Sequence, residues 1–535
     1  MIQENIPEKC DALIIGSGAA GLMAALTVKD LRPEWSVWVA EQSPSVGGTT
    51  AYSGGICWLP GNSGKKNPEK DLELARVYLK AVFPEIDETC MDGFLSDSPR
   101  VMEYMVSKGI KMHGWPDYPD YYPGMEGASM GRSVYPDVYA GPKNIRSVIR
   151  KTPLFFPPFS LKEAKEWGNH RIMHWNKTLL AKRKMLGHLG LGRGFIGFFL
   201  EACVNAGVDL SVDCKIEHLL IQNDRIDGAV VNGKKVSASV VIMACGGFSH
   251  NPELMKRITA VRPVLSTAPE ECETGGGLEL GLDSGLKIGN PYCWWVPVLK
   301  LYDDRKEEKP GPDLWAYHPT VNDRAWPGGI MVNAAGKRFM NEAEAYNTAG
   351  GRLAMDEDPF LDTVWLIWGH YYVKNYIRGN VSWLQPAKSW MNKSKSVEEL
   401  SDRTGLPLEN LIQTLARWNE MAAGERDEDF HRGESAYDHF MGDEFRDGHP
   451  NIGPVEPPFQ AVRLYPGCLS TKMGPVTDEY GRVFSDRGSV VSGLYAAGNA
   501  AGSFLGNTYP GAGGTIGPAV VFGYRAAKHA AGKST

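Results

Sequence analysis

The sequence predicts an α/β fold: a Rossmann-type dinucleotide-binding domain, discontinuous in the chain, with an α+β cap domain inserted between its parts. Three observations predict it. A strand-like run, a glycine-rich turn and a helical pattern follow one another from Asp11 to Val28. A second strand-like run ends in an acid at the spacing that ribose binding requires. After a long stretch of different character, strand and glycine signals return in roughly the last eighty residues.

Ala12-Leu13-Ile14-Ile15 reads as a buried strand, and Leu22 to Val28 as a helix. Between them, Gly16 permits the tight turn, Gly18 lets the backbone approach a pyrophosphate, and Gly21 lets the helix pack on the strand. The N–H groups of the first helical turn, at Ala19 and Ala20, and the helix dipole then hold the phosphates. Val37-Trp38-Val39-Ala40 ends in Glu41, twenty residues beyond Gly21, where the ribose hydroxyls should lie. The loop Gly47 to Gly55 follows, with Gly48, Thr49, Thr50, Ser53, Gly54 and Gly55. Small residues of this kind let a backbone lie close against a flat ring.

Composition excludes several classes. A chain of 535 residues buries a large core and supports two domains. With 57 basic and 63 acidic residues the net charge is −6, which argues against nucleic acid as a partner. Nine cysteines without a C-x-x-C pair fit reduced thiols in the cytoplasm and exclude a dithiol oxidoreductase. Met1 to Lys9 lacks the apolar core of a signal peptide, and no run nears the ~18 apolar residues of a membrane span. The 12 histidines show no ligand spacing, so no metal is expected.

Further along, Pro68 to Lys111 is helical in pattern, and Trp115 to Pro123 is an ordered loop dense in proline and tyrosine. Leu161 to Arg193 carries many lysines and arginines with Trp167 and Trp175 between them. It reads either as a solvated helical face or as a patch for weak membrane-surface association. A helix is expected from Phe195 to Ala206, and a hairpin turning at Asn232-Gly233. The apolar strand Val240 to Ala244 ends in Cys245-Gly246-Gly247. The pattern changes near residue 272, so residues 1–271 are assigned to the dinucleotide domain, 272–455 to the cap, and 456–535 to the return. In the return, Gly493 to Asn499 is a strand and a turn with Gly498 and Asn499. Thr515 and Ile516 precede a helix whose N-terminus can stabilise negative charge.

The Gly47 to Gly55 loop resembles the flavin segment of FAD enzymes in the fumarate reductase and succinate dehydrogenase flavoprotein superfamily. Some relatives attach flavin to a histidine in this loop, which has none here, so the resemblance implies non-covalent FAD. It also implies that Ile216 lies at the adenine, with Cys245 and Gly246 beneath the adenosine half. Superfamily reductases of diacids carry arginine for the carboxylates, whereas the loop Gly506 to Ala519 offers Tyr509 and no arginine.

That loop, Gly47 to Gly55, Pro119-Asp120-Tyr121-Tyr122-Pro123, Arg338-Phe339-Met340-Asn341-Glu342 and Gly424 to Gly433 together resemble the 3-ketosteroid 1-dehydrogenases over almost the whole chain. The resemblance implies 1,2-desaturation of a lipophilic cyclic ketone, with an external electron acceptor. Tyr509 and the N–H of Gly513 would bind the ketone oxygen, Tyr346 would remove the proton, and Tyr121 would support it, with Tyr118 the alternative in a near-identical Pro-Asp-Tyr unit. Two other readings stay open. One is the same chemistry on a 4-oxocyclohexanecarboxylate-type ring or at a steroid 4,5 bond; the other is a flavin-holding electron-transfer subunit.

Overall fold

Five parallel strands form the centre of an eight-stranded sheet, in the order Val490–Ala496, Lys234–Met243, Lys9–Ile15, Val37–Ala40 and Asp209–Ser211. Ala12 and Ile14 face a core shared with Leu22 and Val520, and Leu13 and Ile15 face a second core with Ile226 and Val236. Burial on both faces is why these strands read as continuous apolar runs. Because the five run the same way, the turns after them all emerge at one edge. In this computed structural model the described residues are 5–151, 157–168, 171, 174–302, 316–376 and 390–532. Residues 169, 170, 172 and 173 of the basic stretch lie outside them.

The expected local elements form. The first helix spans Ala19–Leu31, and the expected helix near Phe195 runs Leu191–Ala206. Pro68–Val82 and Glu88–Ser107 divide the long helical region in two. Arg225–Val231 and Lys234–Met243 pair antiparallel around Asn232 and Gly233. Both turn residues have positive φ, 46° and 74°, the backbone that an Asn-Gly pair adopts most easily.

The cap is built on a seven-stranded sheet whose central strand, Phe459–Lys472, pairs antiparallel with Tyr292–Lys300 on one side and Val364–Trp368 on the other. Leu265–Ser266 also pairs with it. Strand pairing therefore carries the cap sheet past both expected boundaries, and Arg482–Phe484 is the first strand back in the large sheet. Helices Tyr346–Met355, Val397–Thr404 and Leu408–Ala423 pack on the cap sheet. No helix among the described residues is long and apolar enough to cross a membrane.

Candidate active site

One cavity of about 540 Å3 runs from the edge of the parallel strands to the underside of the cap. The glycine turn lines one end through Gly16, Gly18, Ala19 and Ala20, with Glu41 beside it. Gly48, Thr49, Thr50, Ser53 and Gly54 line the middle, and Ile216, Cys245, Gly246, Gly498 and Asn499 come from the other strand ends. Thr515 and Ile516 present the N-terminus of the last helix, and Tyr118, Tyr121, Tyr346, Tyr509 and Gly513 line the far half. Gly21 and Gly55 do not line it. A Cβ on Gly21 would sit 1.9 Å from the Gly16 carbonyl oxygen, and Gly55 (φ 70°) is closed in by Pro136 and Gly192, so both serve packing.

The glycines thus divide their work. Gly16 has φ 100°, and its Cβ would strike the Ala244 carbonyl at 2.6 Å. Beside Gly18 the nearest atom to such a Cβ is Thr50 Oγ1 at 3.7 Å, so the backbone there faces open space. Thr50 Oγ1 accepts from the Ala19 N–H at 3.2 Å. Both oxygens of the buried Glu41 carboxylate are bound by protein donors. Oε2 accepts from Ser17 N–H and Oγ (3.0 and 2.6 Å), and Oε1 from Ser43 N–H and Oγ (3.0 and 2.8 Å). Asn499 Oδ1 is buried with no partner among the described residues, while its Nδ2 donates to Ser470.

Three phenols meet at the other end. The Tyr121 and Tyr509 rings stack, with centroids 5.5 Å apart and planes 14° from parallel. Tyr346 stands edge-on to both, at 5.4 Å and 5.6 Å. Trp294 stands edge-on to Tyr509 at 5.1 Å. Tyr118 packs instead against Trp115 and Phe440, so Tyr121 is the member of the pair whose ring meets Tyr346. Burial raises the pKa of Tyr121 and Tyr346 well above the ordinary value and raises Tyr509 as well. A hydrogen bond from Tyr121 acts against burial at Tyr346, and bonds from Tyr346 and Thr515 do so at Tyr509. Gly513 (φ 88°) could not carry a side chain: its Cβ would lie 2.5 Å from the Ile56 carbonyl.

Buried ion pairs place these phenols. The Pro510 carbonyl accepts from the Tyr121 N–H (3.0 Å) and from Tyr78 Oη (2.7 Å), which fixes the Tyr509 loop against the Tyr121 loop. Arg132, buried, bridges Asp71 and Asp120, and Asp120 also takes the Trp58 indole N–H at 2.8 Å. Burial pushes Asp120 up to about 6 despite that guanidinium. On the cap, Arg338 pairs with Glu342 (2.7 Å) and Asp427 (2.6 Å), and Arg432 reaches the same Glu342. Arg324 donates to the carbonyls of Thr320, Glu342 and Glu344, just ahead of Tyr346 on the first turn of its helix. The Arg338 to Glu342 motif is therefore scaffolding for Tyr346.

Several cavity residues escaped the sequence reading: Trp294, the His318–Asp323 pair (3.1 Å) and Glu273. Tyr437, behind Tyr121 at 5.0 Å, also did. None sits in a motif with a recognisable spacing; strand pairing and the cap loops bring them in.

A model of the FAD binding domain family matches residues 11–516. The 3-oxosteroid 1-dehydrogenase of Mycobacterium tuberculosis is 33% identical, over 98% of each chain. The 4-oxocyclohexanecarboxylate 2-dehydrogenase of Sinomonas cyclohexanicum is 30% identical, over 98% of this chain and 93% of that one. Among solved structures, the 3-ketosteroid delta1-dehydrogenase from Sterolibacterium denitrificans in complex with 1,4-androstadiene-3,17-dione superposes with TM-score 0.86 at 27% identity, covering 98% of this chain and all of that one. The cofactor is FAD, and the cavity fits it: an open backbone at Gly18, a helix N-terminus at Ala19, and an unpartnered buried acceptor at Asn499.

Proposed function

The chain belongs to the FAD binding domain family and, within it, to the 3-oxosteroid 1-dehydrogenases, and we propose that it desaturates the 1,2 bond of a 3-ketosteroid A ring. The observation that carries this reading is the meeting of Tyr121, Tyr346 and Tyr509 in the cavity that the glycine turn lines. The Tyr509 hydroxyl and the Gly513 N–H donate to the ketone oxygen and stabilise the negative charge it gains when carbon 2 loses a proton. Tyr346 accepts that proton; Tyr121, hydrogen-bonded to it, favours its ionised form. Bound without a covalent link, FAD supplies the acceptor for the hydride from carbon 1. An external acceptor then takes the electrons on.

A phenol with the ordinary pKa near 10 is ionised about once in a thousand at neutral pH, a deficit of roughly 4 kcal/mol. Burial and the neighbouring Tyr509 deepen that deficit; the Tyr121 hydrogen bond and the helix N-terminus at Tyr346 oppose it. The site therefore works best where proton concentration is low.

The second reading, a 4-oxocyclohexanecarboxylate-type substrate, is favoured by the Sinomonas relative. The cavity speaks for the neutral steroid. Among the described residues its lining holds no lysine or arginine to receive a carboxylate, and Phe159, Leu161, Trp175 and Trp326 give it an apolar wall. We place the enzyme in the cytoplasm, on its nine free cysteines. Weak contact with a membrane surface is supported by helix Lys177–Met185, where Lys182 and Lys184 are exposed and Met185 is 88% exposed.

The test is purified protein with an artificial electron acceptor and 4-androstene-3,17-dione. Bleaching of the flavin with a 1,2-unsaturated product is expected. Bleaching only by 4-oxocyclohexanecarboxylate selects the second reading, a 4,5-unsaturated product from a saturated steroid overturns the regiochemistry, and no bleaching by any ketone overturns both.

A further inference from the structure

Glu273 stands in the cavity wall between the glycine turns and the cap with φ 57°, a left-handed backbone that non-glycine residues seldom adopt. Such a conformation persists only where the surroundings over-determine it. Its carboxylate, 3% exposed, accepts hydrogen bonds from three separate segments. Oε1 takes Ser470 Oγ (2.7 Å), the Gly247 N–H (3.2 Å) and Thr49 Oγ1 (3.4 Å); Oε2 takes the Thr471 N–H (3.3 Å). Ser470 in turn accepts from Asn499. The carboxylate thus ties the end of strand Lys234–Met243, the threonine loop and the central cap strand together, and reaches the Gly498–Asn499 turn through Ser470. Gly247 must be glycine beside it, because a Cβ there would lie 2.4 Å from Oε2.

The Gly247 and Thr471 N–H groups can only donate, one to each oxygen, and the Ser470 and Thr49 hydroxyls can add to them, so the pocket favours a carboxylate over a carboxylic acid. Burial raises the pKa overall, and the bonds from Ser470, Thr471 and Gly247, with nearby His250, oppose that rise. No lysine or arginine pairs with it among the described residues. We infer that Glu273 fixes a negative charge in the wall of the FAD cavity and so holds down the cofactor's affinity for electrons. A charge in a poorly screened wall disfavours the form of the cofactor that has gained electrons. The reduced cofactor then gives its electrons up readily to an outside acceptor. Glu273 is a positioning and tuning residue and takes no proton from substrate. The inference rests on FAD being the cofactor, not on which ketone is desaturated.

The test is the midpoint potential of the FAD-loaded protein, measured against a reference dye, for the parent, Glu273→Gln and Glu273→Asp. Glu273→Gln is expected to favour reduced over oxidised cofactor about tenfold more than the parent, a rise of about 30 mV for a two-electron couple. Glu273→Asp, which keeps the charge, is expected to stay at the parent potential. An unchanged potential in Glu273→Gln, or equal shifts in both variants, overturns the inference. If Glu273→Gln does not retain FAD, Ser470→Ala carries the test at alkaline pH, where the carboxylate stays ionised after its closest donor is removed. A lower potential there supports the inference, and an unchanged or higher one overturns it. These readouts need no ketone, so they fail or succeed independently of the steroid assignment.

Discussion

Tyr121 and Tyr509, far apart in the chain, stack at 5.5 Å with their planes 14° apart, and the backbone N–H of Tyr121 holds the carbonyl of Pro510 at 3.0 Å. The phenol assigned to the ketone and the phenol assigned to support the base are therefore one rigid unit. Tyr346, from the cap, closes on its edge. The proposed desaturation uses this meeting of three phenols from segments far apart in the chain.

In the proposed mechanism, removing the Tyr509 hydroxyl would keep the ring for stacking but delete a donor to the developing oxyanion. Tyr509→Phe is expected to lower kcat about 10²- to 10³-fold, as loss of one such donor does elsewhere. The protein should stay yellow. Undiminished turnover in a flavin-loaded variant would remove Tyr509 from the mechanism.

With Tyr346 as the proposed base, its raised pKa predicts an alkaline bias. Burial disfavours the ionised form of Tyr346, so its basic form is populated only as pH rises well past neutrality. Single-turnover flavin reduction is expected to climb with pH from neutrality without levelling off below about 10, the ordinary phenol value. A rate independent of pH across that range would be incompatible with a tyrosine base.

Arg132 is buried between Asp71 and Asp120 under the Tyr121 loop. Arg132→Met would leave buried Asp120 without its cation and Asp71 with Lys65 alone. The expected loss is about 3–5 kcal/mol of stability, read as a lowered denaturation midpoint. A variant as stable as the parent would show that Lys65, 2.9 Å from Asp71, suffices as counter-ion.

Lys472 offers a stability test with a defined sign. It is buried over the Trp294 ring at 5.3 Å, and burial pulls its pKa down from 10.5 to about 8. A base whose pKa is lowered by folding releases its proton earlier in the folded chain than in the unfolded one. Its stability contribution is thus present above about pH 10.5 and lost as pH falls through about 8. Lys472→Met is expected to stabilise the protein at pH 7 by an amount on the order of 3 kcal/mol. The gain should disappear above about pH 10.5, as followed by urea denaturation across pH. A gain that persists there, or a loss at pH 7, would show that the side chain acts through packing rather than charge.

Much of the fold and of the cavity lining was legible in order along the chain. The turn at Gly16 to Gly21, the acid at Glu41 and the Asn232-Gly233 hairpin each follow from a local rule, because φ limits, helix termini and strand spacing act over a few residues. The Arg338 to Glu342 motif was legible as a motif but not as scaffolding, since its partners Asp427 and Arg432 lie elsewhere in the sequence. Glu273 and Tyr437 could not be read, for the hydrogen bonds of one and the ring contact of the other come from segments far apart in the chain.

By itself the sequence determined the dinucleotide-binding edge and the chemical kinds of group available to it, because both depend on short-range backbone geometry and on residue type. Only the tertiary structure decided that Tyr121 rather than Tyr118 meets Tyr346, and that the central cap strand is tied to the cavity wall through Glu273. Those outcomes follow from long-range strand pairing and buried ion pairs, whose energies depend on distances between segments that the order of residues does not reveal.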